Sequence, residues 1–160
     1  MKKVRVLFVC LGNICRSPTA HGVFRRLVET EGFADWVEVD SAGTHAYHVG
    51  EPPDSRAQST ARSRGVELSD LRARQVEVID FERFDYVLAM DEENYAVLAR
   101  RCPPGQKHKL ALFMSYAPHL GIHEVPDPYY GGPTGFERVL DMVEEAGRGL
   151  LETLRERHFR

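Results

Sequence analysis

The sequence predicts an α/β protein: one domain over residues 1–160, built on a four-stranded parallel sheet with helices on both faces, in the Rossmann-like manner. Three observations lead there. The length of 160 residues suits a single domain with a core of its own. The opening run V-R-V-L-F-V, residues 4–9, is almost continuously apolar and β-branched, the pattern of a central strand covered on both faces. Four such apolar stretches then alternate with helical patterns, which favours parallel pairing.

Each element has its own signal. After the first strand, Ser17-Pro18 reads as a helix start, a capping hydroxyl followed by proline in the first turn. Ala20, Val23, Phe24, Leu27 and Val28 share one helical face, and Gly32 is the stop. Residues 36–39 are the second strand, and 41–53, with Gly43, Gly50, Pro52 and Pro53, read as loop. Asp54 caps a helix that runs to about Gly65. Residues 85–90 are the third strand. Asp91 starts the helix carrying Tyr95, Val97 and Leu98, which Pro103-Pro104-Gly105 ends. Residues 110–114 are the fourth strand. A loop with Pro126, Pro128, Gly131, Gly132 and Pro133 precedes a last helix whose Phe136, Val139, Leu140, Val143, Leu150, Leu151 and Leu154 form a stripe for the sheet.

Composition narrows the class. A net charge of -3 argues against general nucleic-acid affinity. No apolar run approaches the roughly 20 residues of a membrane helix, and Met1-Lys2-Lys3 leads into an apolar run too short for a signal peptide. The expectation is a cytoplasmic protein with no membrane partner. Its three cysteines, Cys10, Cys15 and Cys102, are then reduced thiols rather than staples. No large extra apolar stripe calls for an oligomer, so a monomer is expected.

The chemistry concentrates in V-C-L-G-N-I-C-R-S-P, residues 9–18. Ligands of open α/β sheets sit at the carboxyl ends of strands, where Cys10 lies. The amides of Leu11, Gly12, Asn13, Ile14, Cys15 and Arg16 can turn inward as an anion cradle, with the helix dipole adding positive potential. Gly12 permits a positive φ and Asn13 tolerates one. Arg16 can grip two oxygens of a tetrahedral oxyanion. The same field favours the Cys10 thiolate, to which Ser17 can donate, facing the phosphorus of a phosphate ester. A buried cysteine and an arginine that happen to be near one another are the plainer reading of Cys-x5-Arg by itself. The strand before it, Gly-Asn within it and Ser-Pro after it favour the anion site. A Walker loop and a dinucleotide fingerprint are excluded, because no Gly-Lys-Ser/Thr follows and one glycine stands alone. A metal pair of Cys10 and Cys15 lacks a second ligand pair.

Cleaving an aryl phosphate releases a phenolate whose conjugate acid has a pKa of about 10. V-P-D-P-Y-Y, residues 125–130, offers a carboxylic acid, Asp127, on a proline-stiffened loop, with Tyr129 and Tyr130 to wall a slot for a flat ring. Asp127 by itself also fits a plain turn residue before proline.

Together these stretches resemble the low-molecular-weight protein tyrosine phosphatases, and the resemblance runs over nearly the whole chain. It includes D-S-A-G-T at 40–44, A-R-Q at 73–75 and F-D-Y-V-L-A-M-D at 84–91. It implies hydrolysis of phosphotyrosine monoesters in proteins without metal or cofactor, with inorganic phosphate as product. By the resemblance, Cys10 is the nucleophile and forms a cysteinyl-phosphate. Arg16 and the loop amides hold the phosphoryl oxygens, Asn13 braces the loop, and Ser17 stabilises the thiolate. Asp127 is the general acid and then the base. Ser41 supports Asn13, Arg74 and Asp91 form a supporting ion pair, and Tyr47 lines the slot opposite Tyr129. Cys15 matches a loop cysteine able to trap an oxidised nucleophile as a disulfide. One departure is Leu71, where many members carry a histidine in the network bracing Asn13. His45 and His48 are expected as solvated loop histidines at the rim.

Alternatives share these residues. Arsenate reductases of this fold need two further cysteines after the start of the third strand, and residues 70–100 contain none. Phosphoarginine phosphatases carry threonine where Ile14 stands. A phosphotyrosine-binding module without turnover needs neither Cys10 nor Asp127.

Overall fold

In the computed structural model, residues 2–129, 132 and 134–159 are described. Four strands are found among them: β1 (Val4–Cys10), β2 (Val37–Gly43), β3 (Tyr86–Ala89) and β4 (Leu110–Leu112). They form one parallel sheet in the order β2-β1-β3-β4. β1 lies inside the sheet because both of its faces are apolar. Side chains alternate along a strand, so Val6, Phe8 and Cys10 join the core under α1 (Arg16–Thr30) and α5 (Thr134–His158). Leu7 and Val9 join the opposite core with Phe81, Val87 and Leu98. Phe8 meets Phe24 at 5.8 Å and Phe113 at 4.9 Å between ring centroids, both edge-on. All three rings are fully buried, which stabilises the sheet by about 1.5–3 kcal/mol for each side chain.

Several elements differ from the sequence reading. β2 runs on through Asp40, Ser41 and Gly43, so the start of the expected loop is strand. The polar side chains there hid its period because they serve the site. Gly43 pairs with Cys10, and a Cβ on it would lie 2.8 Å from the Leu11 carbonyl. α1 starts at Arg16, with Cys15 as its N-cap and no side-chain cap. The Ser17 hydroxyl is spent inside the site rather than on the helix. α2 (Ser55–Ser63) is capped by Asp54, which accepts from the Arg56 amide, and α4 (Glu92–Arg101) by Asp91, which accepts from the Asn94 amide. A short α3 (Asp80–Arg83), too brief to show a period, carries Phe81 into the core. β4 is shorter than expected, since Phe113–Tyr116 turn into a 3₁₀ helix. Of the loop before α5, Tyr130, Gly131 and Pro133 lie outside the described residues. No described helix is long and apolar enough to cross a membrane.

Strand order reverses at β1: one crossover leads to β2 on one side, and the chain returns to β3 on the other. Ligands of such sheets bind in the crevice at that reversal. β1 ends there on Cys10.

Candidate active site

The loop between β1 and α1 is strung with donors. Among the described residues, no protein acceptor takes the amide hydrogens of residues 11–15. The N-terminus of α1 follows directly, so its dipole adds to the same positive field. Asn13 holds φ at 58°, the left-handed region, which asparagine adopts more readily than most residues. Gly12 is not at positive φ; it is small for a different reason. A Cβ on it would sit 3.0 Å from Cδ2 of His48, whose ring rests against the loop.

Cys10 Sγ lies 3.0 Å from Ser17 Oγ. Asn13 Nδ2 donates to the same oxygen at 2.8 Å, and Asn13 Oδ1 accepts from the Arg74 amide at 3.0 Å, which fixes the orientation of the side chain. With one acceptor position of Ser17 filled by Asn13, its hydrogen is left to donate. Its two candidates are Cys10 Sγ and the Ala42 carbonyl at 3.4 Å. The sulfur is the nearer of the two.

Arg16 is buried, 3% exposed. Its Nη1 donates to Asp91 Oδ2 at 2.6 Å and to the Val125 carbonyl at 3.0 Å, and its Nη2 stands 3.8 Å from Asp127 Oδ2. Burial alone would lower the Arg16 pKa; attraction to Cys10 and the hydrogen bond and charge of Asp91 outweigh burial and raise it. The guanidinium is therefore a fixed cation whose orientation is set from the N-terminus of α4. Val125 itself donates to the Met90 carbonyl, 2.8 Å, just past β3. That bond pins the start of the 125–129 loop to the sheet edge and brings Asp127 toward Cys10, 117 positions away in sequence. Asp127 Oδ1 accepts from the Tyr129 amide at 3.0 Å.

Two supporting contacts differ from those the resemblance implies. Arg74 and Asp91 do not pair with each other. Asp91 holds Arg16, while Arg74 grips Asp80 through both oxygens (3.0 and 3.1 Å) and Asp40 at 3.1 Å. Asp40 and Asp80 lie closer to Arg74 because β2 and α3 flank its segment; Asp40 opens the D-S-A-G-T stretch, but nothing in the sequence ties either aspartate to Arg74. Ser41 does not hold Asn13 either. Its hydroxyl is 2.9 Å from Nδ1 of His21, and Asn13 is held by Ser17 and Arg74.

His21 is a buried site residue that sequence reasoning missed. The readable clue is its spacing: Ser17, His21, Phe24 and Val28 follow one helical face, polar at the end nearest the site. Leu71 packs against the core. Burial, aided by Arg25 and Arg74 and opposed by Asp40, lowers the His21 pKa from 6.5 to about 4. The folded protein therefore carries a neutral imidazole, and the unfolded chain takes up a proton below pH 6.5. Stability from this residue is complete above about pH 6.5 and is lost as pH falls towards 4, by about 3 kcal/mol at about 1.4 kcal/mol per unit. Thermal melts across that window should show the decline, and His21→Gln should flatten it.

A pocket of about 340 Å³ joins these parts. Cys10, the loop residues Leu11, Gly12, Ile14 and Cys15, then Arg16, Tyr47, His48, Asp127 and Tyr129 line it. Tyr47 and Tyr129 are its exposed aromatic walls; Tyr130 lies outside the described residues. His48 is no free loop histidine: it lines the pocket and pairs with Glu51 at 2.9 Å. His45 stacks on Tyr47 with ring centroids 5.1 Å apart. Cys15 lines the pocket and also packs in a small cluster with Ala57 and Phe136. Burial first, then the charges of Asp54, Cys10 and Asp127, push its pKa up, so it stays a neutral thiol. Among the described residues, no three His, Cys, Asp or Glu side chains gather as metal ligands.

One thiol, one fixed cation with a ring of amides, one carboxyl group and two aromatic walls thus surround a single pocket. The family profile described as "Low molecular weight phosphotyrosine protein phosphatase" matches residues 5–159. The low molecular weight protein-tyrosine-phosphatase of Streptomyces coelicolor is 47% identical over 155 residues, covering 95% of this chain and 94% of its own. The human low molecular weight phosphotyrosine protein phosphatase is 44% identical over 149 residues, 92% of this chain and 93% of its own. A solved protein tyrosine phosphatase from Entamoeba histolytica, with Hepes in its active site, superposes with a TM-score of 0.93 at 42% identity, over 96% of this chain and 98% of that one.

Proposed function

This chain belongs to the low molecular weight protein tyrosine phosphatases, and from that membership we propose a mechanism in which Cys10, Arg16 and Asp127 carry the reaction. The enzyme is a protein-tyrosine phosphatase, a phosphoric monoester hydrolase whose substrates are phosphoproteins. Its site takes the phosphoryl group into the amide ring of residues 11–16, with Arg16 across two of its oxygens and the phenyl ring between Tyr47 and Tyr129. The Cys10 thiolate attacks phosphorus in line, an S–P bond forms as the P–O bond breaks, and Asp127 gives its proton to the leaving tyrosyl oxygen. Asp127, now a carboxylate, takes a proton from water. That water cleaves the S–P bond, and inorganic phosphate leaves with the thiolate restored.

The observation that carries this reading is the meeting of Cys10, Ser17, Arg16 and Asp127 at one strand end, with Ser17 3.0 Å from the sulfur and Asp127 3.8 Å from the guanidinium. Neither metal nor cofactor has a step in it. The proposal extends to one phosphatase domain over residues 1–160, acting as a cytoplasmic monomer. Its test is steady-state hydrolysis of a phosphotyrosine peptide with EDTA and reductant present, beside phosphoserine and phosphoarginine peptides. Release from phosphotyrosine alone is expected. Preferred release from phosphoarginine would overturn the substrate assignment, and no release at all would overturn turnover.

Ile14 is proposed to decide between the two substrates. It lines the pocket and packs on the Cys15 cluster, so it offers no hydroxyl to a P–N bond. Ile14→Thr should raise the ratio of phosphoarginine to phosphotyrosine turnover about tenfold, on the scale of one added hydrogen bond. An unchanged ratio would remove position 14 from selectivity.

A further inference from the structure

We propose that Arg56, in the first turn of α2, is a positioning residue for the general acid: its guanidinium sits between the rings of Tyr129 and Phe136 and steadies the loop that carries Asp127. The inference rests on the assignment of Asp127 as that acid. Asp127 is itself exposed; its Oδ2 stands 3.8 Å from Arg16, and its Oδ1 accepts from the Tyr129 amide two residues on. Where Tyr129 stands therefore sets one of the two holds on the carboxylate. The start of the loop is fixed by Val125, and Pro128 packs on Gly135, whose added Cβ would lie 3.4 Å from it. Tyr129 lies beyond both anchors.

Arg56 supplies a hold at that point. Its Cζ is 5.2 Å from the Tyr129 ring centroid and 4.9 Å from that of Phe136, the first buried aromatic of α5. Both distances fall within cation–π range. The guanidinium is aimed by Asp54, which accepts from Nε at 3.0 Å and from Nη2 at 2.9 Å, while the same carboxylate caps α2. The Asp54 amide in turn donates to the Ile14 carbonyl at 2.8 Å. The start of α2 thus touches both halves of the site, the phosphate cradle through Asp54 and the acid loop through Arg56. Cys15, Ala57 and Phe136 form a small cluster, and Arg56 lies over its Phe136 ring. Arg56 is not among the residues lining the pocket, so its effect on turnover runs through Tyr129.

Leaving-group dependence separates this role from a general loss of structure. The measurement is kcat/KM for aryl phosphates from p-nitrophenyl phosphate to phosphotyrosine, in Arg56→Met, Arg56→Lys, Asp127→Ala and the Arg56→Met/Asp127→Ala double variant. Inhibition by inorganic phosphate is followed in each. Arg56→Met should lower kcat/KM for phosphotyrosine about tenfold, short of the roughly hundredfold cost of an ångström-scale misplacement. For p-nitrophenyl phosphate, whose leaving group needs little protonation, the change should stay below about twofold. Arg56→Lys, which keeps a cation near both rings, should lose less with the same bias. Phosphate inhibition should not move, and the double variant should match Asp127→Ala alone. A uniform loss across the esters, or losses that multiply in the double variant, would overturn the proposal. If Asp127→Ala shows no leaving-group bias, the acid assignment fails and this proposal falls with it. A bias in Asp127→Ala but not in Arg56→Met refutes the role of Arg56 alone.

Discussion

Cys10→Ser is expected to reduce phosphotyrosine turnover by about 10⁴-fold or more, the scale on which removing a covalent nucleophile acts, while inorganic phosphate still binds. The two results have separate physical origins. Turnover needs an anion at position 10. A thiol gives one far more readily than a serine hydroxyl does. Binding needs the donors around the sulfur, and those stay: the amides of residues 11–15 and the Arg16 guanidinium held by Asp91 at 2.6 Å. Serine is smaller than cysteine, and its oxygen remains within reach of Ser17, so the loop keeps its shape. Calorimetric titration with phosphate against steady-state turnover checks both halves. Turnover within about tenfold of the wild type would take the nucleophile's role from Cys10.

Asp127→Ala is expected to slow phosphotyrosine by about 10²–10⁴-fold, the contribution of a placed general acid, and esters of acidic phenols far less in kcat/KM. A tyrosyl oxygen leaves as a poor anion with a conjugate acid of pKa about 10, so its departure needs the proton. An acidic phenol leaves without help. The variant also removes a carboxylate 3.8 Å from Arg16, which makes the site more positive and leaves phosphate affinity equal or tighter. A plot of log kcat/KM against leaving-group pKa should therefore steepen. Parallel lines for variant and wild type would mean that Asp127 holds the loop rather than the proton.

Much of this molecule is legible along the chain, and the reasons are local. Residues 4–9 form a covered strand because each is apolar or has an aliphatic stem. Cys10 and Arg16 share one loop because five residues are just enough to wrap an anion between a strand and a helix. Asp54 and Asp91 cap helices because a short carboxylate reaches the amides two or three residues on. The expectations that failed share a feature as well. Ser17 reads both as a helix cap and as a partner of Cys10, and only the second role is met: its hydroxyl is drawn to Cys10 and Asn13, where burial raises the cost of leaving either unpaired. Residues 40–43 look like loop because their side chains are polar, and they are strand because the site satisfies those groups.

Readable along the chain are a thiol, a guanidinium and a carboxylic acid in contexts that suit them, and a fold that sets strand ends at one edge. Which polar groups meet is fixed in three dimensions alone. Arg16 pairs with Asp91, Arg74 with Asp80 and Asp40, and Ser41 with His21, partners up to 75 positions apart that carry no mark of one another. Hydrogen bonds and ion pairs act over about 3–4 Å, and such proximity between distant segments exists only once the sheet has set its register and the helices have docked on it.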